Sequence, residues 1–258
     1  SYSRFRSHLE GFKQRLQEKL NKISIITSSG VSVRNLSNMG RIMATYYDLY
    51  CDPDTNDCMR FSFEFNGYFD TLCGLRKNID AVRLNPSKFS DKKQPLYKVK
   101  KIYYPILSDK IVTNDLNLKK NIILTGPNAA GKTTLLKSSI INLLFIQQIG
   151  YGYFKSAEVT PFDYIHSYIN IPDTSSRDSL FQAEARRCKN ILDTINNNPK
   201  SKHLCIFDEL YSGTNPEEAI ASAYSYLEVL SKQKNIKFLL TTHFIKLCNL
   251  FNSNKKIL

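Results

Sequence analysis

Thr125-Gly-Pro-Asn-Ala-Ala-Gly-Lys-Thr-Thr134 lies between the apolar run Asn121-Ile-Ile-Leu124 and a segment with helical spacing from Leu135 to Gln148. Strand, glycine loop and helix in that order fit the phosphate-binding form G-x-x-x-x-G-K-[ST]. Gly126 and Gly131 let the backbone curl around a β-phosphate, with Pro127, Asn128, Ala129, Ala130 and Thr134 completing the loop. Lys132 is placed to reach the β and γ oxygens, and Thr133 to offer its hydroxyl to Mg2+. Amides at the helix start add positive potential. The stretch implies binding of a nucleoside triphosphate, ATP or GTP.

Outward from the loop, apolar runs alternate with helical patterns: Ile122–Leu124, Leu135–Gln148, Phe162–Ile171, Phe181–Ile195, Leu204–Phe207, Pro216–Leu230 and Ile236–Thr241. This alternation predicts an α/β domain around a buried, mainly parallel sheet. Ligands of such sheets bind beyond the carboxyl ends of the strands, where the phosphate loop falls. Leu204-Cys-Ile-Phe-Asp-Glu209 is a second motif, an apolar strand ending in two carboxylates. Asp208 is suited to hold Mg2+ through water and Glu209 to polarise an attacking water. A third, Phe238-Leu-Leu-Thr-Thr-His243, is another apolar strand, ending in an imidazole that can contact the γ-phosphate or its water. A strand ending in Asp-Glu arises often by chance, and a lone His is more often structural. The three in this order narrow the choice to ABC-type P-loop ATPases.

The front of the chain is helical. Leu9, Phe12, Leu16, Leu20 and Ile23 recur every three or four residues with Arg and Lys between them, an amphipathic basic helix. It serves either as a DNA-facing arm or as a surface helix packed on its neighbour. Residues 38–50 and 57–83 again read as helices, separated by the turn-rich Cys51-Asp-Pro-Asp-Thr-Asn-Asp57. The polar, basic stretch around Pro86 and Pro95 reads as a connector into a strand near Val99–Tyr104, with its lysines on a solvated face. The expected organisation is a helical region over 1–84, a connector over 85–101 and an ATPase domain over 102–258.

A length of 258 residues with 42% hydrophobic content supports one main core and a smaller appendage. The six Cys include no C-x-x-C pair, so neither a zinc module nor a disulfide scaffold is indicated, and reduced thiols in an intracellular protein are expected. The net charge of +13 favours polyanionic partners, chiefly nucleic acid. No apolar run approaches the roughly 18 to 20 residues of a membrane span, and Ser1-Tyr-Ser-Arg-Phe5 is no signal peptide. A start at Ser1 rather than Met predicts further sequence ahead of it. The excess of Lys, Asn and Ile suits an AT-rich genome, viral or parasitic, and leaves nucleus, cytoplasm and virus particle open as locations.

Within the ABC-type ATPases the resemblance is to the MutS family. The loop resembles that family's TGPN-x-x-GKST, including Pro127 and Asn128, which the general motif does not require. Val112-Thr-Asn-Asp115 is similar to V-P-N-D, which implies that Asn114 lies against the nucleotide base. Ser179-Leu-Phe-Gln-Ala-Glu184 and Asn190-Ile-Leu192 have the spacing of the family signature S-x-F-x-x-E and N-I-L. Asp208-Glu-Leu-Tyr-Ser-Gly-Thr214 resembles D-E-x-x-R-G-T, Thr242-His-Phe244 resembles T-H-F, and Phe69-Asp-Thr-Leu72 resembles the L-D-x-L that closes the family's lever helices. The resemblance covers about residues 60 to 250. It implies an ATPase using Mg2+, built as a homodimer or as a heterodimer with a related subunit. The partner's Ser179 would close each phosphate loop in trans, and ATP would drive lever helices that clamp DNA, whether duplex, mismatched or branched.

The departures are specific. Ser212 stands where the family has Arg, and Tyr103-Tyr-Pro105 where it has R-H-P. No Phe-x-Glu wedge is expected among these residues, which therefore do not support mismatch recognition, and Phe61-Ser-Phe-Glu-Phe65 is read as helix core. The family's C-terminal helix-turn-helix is not found in the fifteen residues after His243, which implies a trimmed chain or a weak dimer. Two functions follow from these residues. One is a DNA-acting ATPase in mismatch repair or recombination-related processing, with Lys132, Glu209 and His243 catalytic and Thr133 and Asp208 on Mg2+. The other is an assembly module on nucleic acid or in a larger particle, using ATP as a structural switch with little turnover.

Overall fold

The computed structural model describes residues 2–27, 39–106, 111–169, 180–252 and 257. It divides into two compact units, Ser1–Lys77 and Asn78–Leu258.

The first unit is helical. Helices α1 (Tyr2–Thr27) and α2 (Met39–Cys51) precede α3 (Pro53–Asp80), which runs on past Lys77. The expected turn over 51–57 is a single-residue break at Asp52. Pro53 occupies the first helical position, where a missing N–H costs nothing. The Asp52 carboxylate accepts from the Asp54 backbone N–H at 3.1 Å and from the Thr55 hydroxyl at 2.9 Å, so local capping replaces a longer turn. Lys19 reaches both Asp52 and Asp54, and Arg15 lies 2.6 Å from Asp54. Phe61 stacks on Phe12 with centroids 3.8 Å apart and Phe65 lies 6.1 Å from Phe61, but Phe63 is 69% exposed, so only part of this aromatic run takes the core role expected of it.

The second unit is mixed α/β. Its strands are β1 (Asn85–Phe89), β2 (Tyr97–Ile102), β3 (Asn114–Asn117), β4 (Ile122–Thr125), β5 (Tyr151–Gly152), β6 (Ser156–Val159), β7 (Tyr164–Tyr168), β8 (His203–Asp208) and β9 (Ile236–Thr242). Helices α4 (Lys132–Ile149), α5 (Leu180–Asn197), α6 (Pro216–Lys232) and α7 (Ile245–Phe251) intervene. A four-stranded sheet, ordered β4-β9-β8-β7, is parallel throughout. His203 to Phe207 of β8 are buried without alternation, as expected for a strand covered on both faces. Helices α5, α6 and α7 cover one face through residues such as Ile195, Leu227, Leu230 and Leu247. The other face packs with α4 and a second sheet through Leu136, Leu143, Ile206 and Leu239.

That second sheet, ordered β3-β2-β6-β1-β5, stands beside the expected parallel sheet as an unexpected layer, in which only the β1–β6 pair is parallel. It also absorbs most of the expected connector over 85–101. In β2 the core positions Tyr97, Val99 and Ile102 are interleaved with Lys98, Lys100 and Lys101, so a half-buried strand carries the polarity of a loop. The six cysteines are unpaired. Among the described residues, no helix is long and apolar enough to cross a membrane.

Candidate functional site

The loop after β4 and the ends of β8 and β9 meet because the parallel register places them level. Thr125 pairs with Thr242, and Asp208 pairs with Thr241. Gly131 takes a left-handed φ of 86° immediately before α4, a conformation that carries no Cβ penalty for glycine. Ala129 also has positive φ, at 60°. Lys132 opens the helix and folds its ammonium over the loop, donating to the carbonyls of Gly126 at 2.7 Å and Pro127 at 3.0 Å.

A cavity of about 450 Å³ adjoins the loop. Gly126, Ala129, Ala130, Gly131, Lys132 and Thr134 line its phosphate-loop side. Tyr104, Val112 and Asn114 line another part, so the structure brings Asn114 to the cavity from β3. Pro127 and Asn128 are exposed on the loop. Ser179 lies outside the described residues.

Thr133 donates its hydroxyl to Asp208 Oδ2 at 2.9 Å, and buried Thr241 donates to Asp208 Oδ1 at 2.5 Å. The hydroxyl and carboxylate oxygens at the loop edge are hard donors, which suit Mg2+ rather than a softer metal. Thr133 and Asp208 would hold it.

Glu209 breaks the strand pattern. Its backbone N–H still bonds Thr241 O at 3.0 Å, but its φ of 54° lies in the left-handed region, where a non-glycine residue costs about 1 to 3 kcal/mol. Tyr211, two residues on, has φ 58°. Glu209 Oε1 lies 2.5 Å from Nε2 of His243, and both side chains are roughly 40% exposed (43% and 39%). A carboxylate facing solvent and held by an imidazole is an arrangement that can take a proton from water.

Three residues at this end of the sheet were given no role by the sequence reading. Tyr104 stands in the segment noted only as a departure from R-H-P. Thr241 has no signal beyond its place before Thr242-His243. Glu184 of α5, 2% exposed, accepts through Oε1 from the backbone N–H and the hydroxyl of Ser212, both at 3.0 Å. Its Oε2 accepts from the Gly213 N–H at 3.1 Å. The last glutamate of the S-x-F-x-x-E segment therefore holds the loop that follows Glu209. The fit is close: a Cβ on Gly213 would stand 2.7 Å from Leu180 Cγ and 2.9 Å from the Phe181 backbone nitrogen.

A parallel sheet with a glycine loop between β4 and α4, and carboxylates at the end of β8, makes this a mixed α/β unit. The family model for MutS domain V matches residues 122–258, and the chain belongs to the MutS family. It is similar to DNA mismatch repair protein MutS of Prochlorococcus marinus (strain MIT 9301), 31% identical over 183 residues, which are 69% of this chain and 19% of that protein. Endonuclease MutS2 of Caldicellulosiruptor bescii is 34% identical over 176 residues, 65% of this chain and 22% of that protein. Putative endonuclease MutS2 of Bacillus subtilis (strain 168) is 32% identical over 158 residues, 58% of this chain and 19% of that protein. The chain spans about a fifth of the length of these relatives. They are bacterial, and they lend no support to a viral or nuclear setting.

Proposed function

We propose that this chain is the ATPase part of a DNA-binding protein of the MutS type, with an ABC-type P-loop domain preceded by a remnant of lever helices. The observation that carries this reading is the hydrogen bond between Thr133 and Asp208, which joins the phosphate loop to the acidic strand end beside Glu209 and His243. In this reading the amides at the start of α4 and Lys132 bind the phosphates, Lys132 leaving the Gly126 and Pro127 carbonyls for phosphate oxygens. Asn114 and Tyr104 flank the base. Mg2+, held by Thr133 and Asp208, would supply charge neutralisation to the phosphates. Asp208, held by Thr241, orients the Thr133 hydroxyl. Glu209 accepts a proton from the attacking water while His243 fixes the carboxylate. Ser179 of a second subunit, identical or related, completes the site, so ATP favours the closed pair and hydrolysis releases it. The relatives named for mismatch repair and as endonucleases support DNA, whether duplex, mismatched or branched, as the partner, and their bacterial origin supports an intracellular site of action.

The test is ATP turnover by the protein with and without duplex, mismatched and four-way-junction DNA, beside Glu209→Gln. The variant should lose about 10² to 10⁴ in turnover while still binding nucleotide. Equal turnover would remove Glu209 from its role, and nucleotide binding without any turnover in the parent would refute the ATPase reading in favour of an assembly module.

A further inference from the structure

The positive charge of this protein is unevenly placed. Residues 1–77 carry eleven Lys and Arg against eight Asp and Glu, a net +3, leaving 25 against 15, a net +10, on the α/β unit. The surface of the second sheet shows where part of that excess gathers. Glu158 of β6 is registered with Lys88 on β1 and with Lys98 on β2, so one carboxylate lies between two lysine strands. Lys92 bridges the same carboxylate at 2.9 Å. Lys100 follows Lys98 by two residues and lies on the same face, and a shallow cavity of about 220 Å³ opens among Lys88, Lys98, Lys100 and Glu158.

The basic strip continues past the sheet edge. The Lys92, Lys98 and Lys119 ammonium groups together hold the Glu158 carboxyl below its ordinary range, the Lys92 hydrogen bond being the largest influence. Lys237 in turn donates to the Lys119 carbonyl at 2.7 Å. Around Lys237 a second cavity, of about 260 Å³, is lined by Lys119, Lys120 and Lys234 with the amides of Gln94 and Gln233, and by no carboxylate. Burial lowers the pKa of Lys237, the mark of a cation drawn partly out of water without an anion to balance it.

Lysines packed this closely repel one another unless an anionic partner screens them. Among the described residues no aromatic side chain lines either cavity, so neither cavity offers a surface on which unpaired bases would stack. Point charges on a groove without stacking platforms suit a backbone whose bases are paired. We propose that the strip from Lys88 and Lys98 through Lys119 to Lys237 is a docking surface on the α/β unit itself for the phosphate backbone of duplex DNA. Its Lys119–Lys237 end lies beside Asn121 and Ile236, at the opposite ends of β4 and β9 from the phosphate loop, so DNA seated there leaves the loop free. The proposal rests on reading the protein as DNA-binding and moves the main electrostatic contact from the helices to the α/β unit.

The experiment is fluorescence anisotropy of a labelled duplex against salt, using the whole protein. The triple variant Lys88→Gln, Lys98→Gln, Lys119→Gln is compared with a charge-matched triple on α1, Arg4→Gln, Lys13→Gln, Lys22→Gln. Each lost phosphate contact removes about 0.9 from the slope of log K on log salt. The sheet triple should therefore lower the slope by about 2 to 3 and weaken binding at least about tenfold near 0.1 M salt, while the α1 triple leaves both within error. Melting temperature and ATP binding matching the parent would show that the sheet triple is folded. Single variants at exposed Lys88 and Lys100, each costing about 0.9 in slope, give the same answer with no burden on folding. Loss of binding in the α1 triple with none in the sheet triple overturns this proposal and leaves the DNA-binding reading standing. A parent that binds no duplex even at low salt overturns both. Loss of binding to phosphatidylserine vesicles with duplex binding intact identifies a lipid surface and also overturns it.

Discussion

Glu184 gives the sharpest test of how the site is held together. Its buried carboxylate takes three hydrogen bonds from Ser212 and Gly213, two of them from backbone amides. A hydrogen bond to a charged group contributes about 1.5 to 3 kcal/mol, and a buried donor left without a partner costs about 1 to 3 kcal/mol. In Glu184→Gln, Oε1 still accepts both Ser212 donors, but the new NH2 faces the Gly213 N–H, so one charge-assisted bond is lost, at about 1.5 to 3 kcal/mol. Glu184→Ala removes all three bonds, at about 1 to 1.5 kcal/mol each where water can reach the exposed Ser212 and Gly213, or about 3 to 5 kcal/mol in all. Ser212→Ala removes only a hydroxyl donor, at about 1 kcal/mol. For a unit of this size each kcal/mol is about 2 to 4 °C in melting temperature. Circular dichroism should therefore give losses of about 2 to 4 °C for Ser212→Ala, 3 to 12 °C for Glu184→Gln and 6 to 20 °C for Glu184→Ala, in that order. Turnover should fall with them, since the loop begins at Glu209. If Glu184→Gln melts with the parent, or Ser212→Ala costs as much as Glu184→Ala, the carboxylate is not what holds the loop.

Two further outcomes follow from the same geometry. Thr241→Val keeps the side-chain shape but deletes the hydroxyl on Asp208 Oδ1, so the Mg2+ concentration for half-maximal ATP binding should rise about 10- to 100-fold, and an unchanged Mg2+ titration would deny Thr241 that role. Acid should act on the two units in different windows. His166, pushed down from 6.5 to about 4 by burial and by the neighbouring His203 3.1 Å away, contributes stability that is present above pH 6.5 and lost as pH falls toward 4. Asp52, held down from 3.8 to about 2 by Lys19 and Thr55, contributes stability that is present above pH 3.8 and lost below it. Melting followed at pH 7, 5 and 3 should show the α/β unit weakening first, with His166→Gln flattening the change from 7 to 5; equal melting at 7 and 5 in the parent would contradict this.

The parallel strands of the α/β unit were legible because apolar runs such as Leu204–Phe207 end abruptly in functional polar residues. Asp208, Glu209 and His243 share that signal, a polar group where burial stops, while Thr133 was legible from the spacing of the glycine loop; Thr133 bonds Asp208, and Glu209 meets His243. Of the second sheet, a strand near Val99–Tyr104 was legible but its partners were not. Its β2 and β6 pair across more than fifty residues, and β2 carries three lysines, so no local turn signal announces the pairing. Glu184 was quoted as part of a motif, yet its role was invisible because it bonds mainly to backbone, which has no letter in the sequence. Asp52 was taken for part of a turn because its capping bonds and a turn draw on the same residue types.

The level pairing of Thr125 with Thr242 and of Asp208 with Thr241 separates two kinds of tolerance to change. Chain length between the motifs is geometrically idle: residues added between α5 and β8, or between α6 and β9, enter connections at the far end of the sheet and leave the strand ends level. A single deletion inside β8 or β9 would instead turn Asp208 or Thr241 to the other face and pull the motifs apart. Insertions should therefore be forgiven in those far-end connections but not within the thirteen residues of β8 and β9, the phosphate loop from Thr125 to Thr134 or the loop held by Glu184, and the intervals between the motifs are the least dependable guide to proteins built the same way.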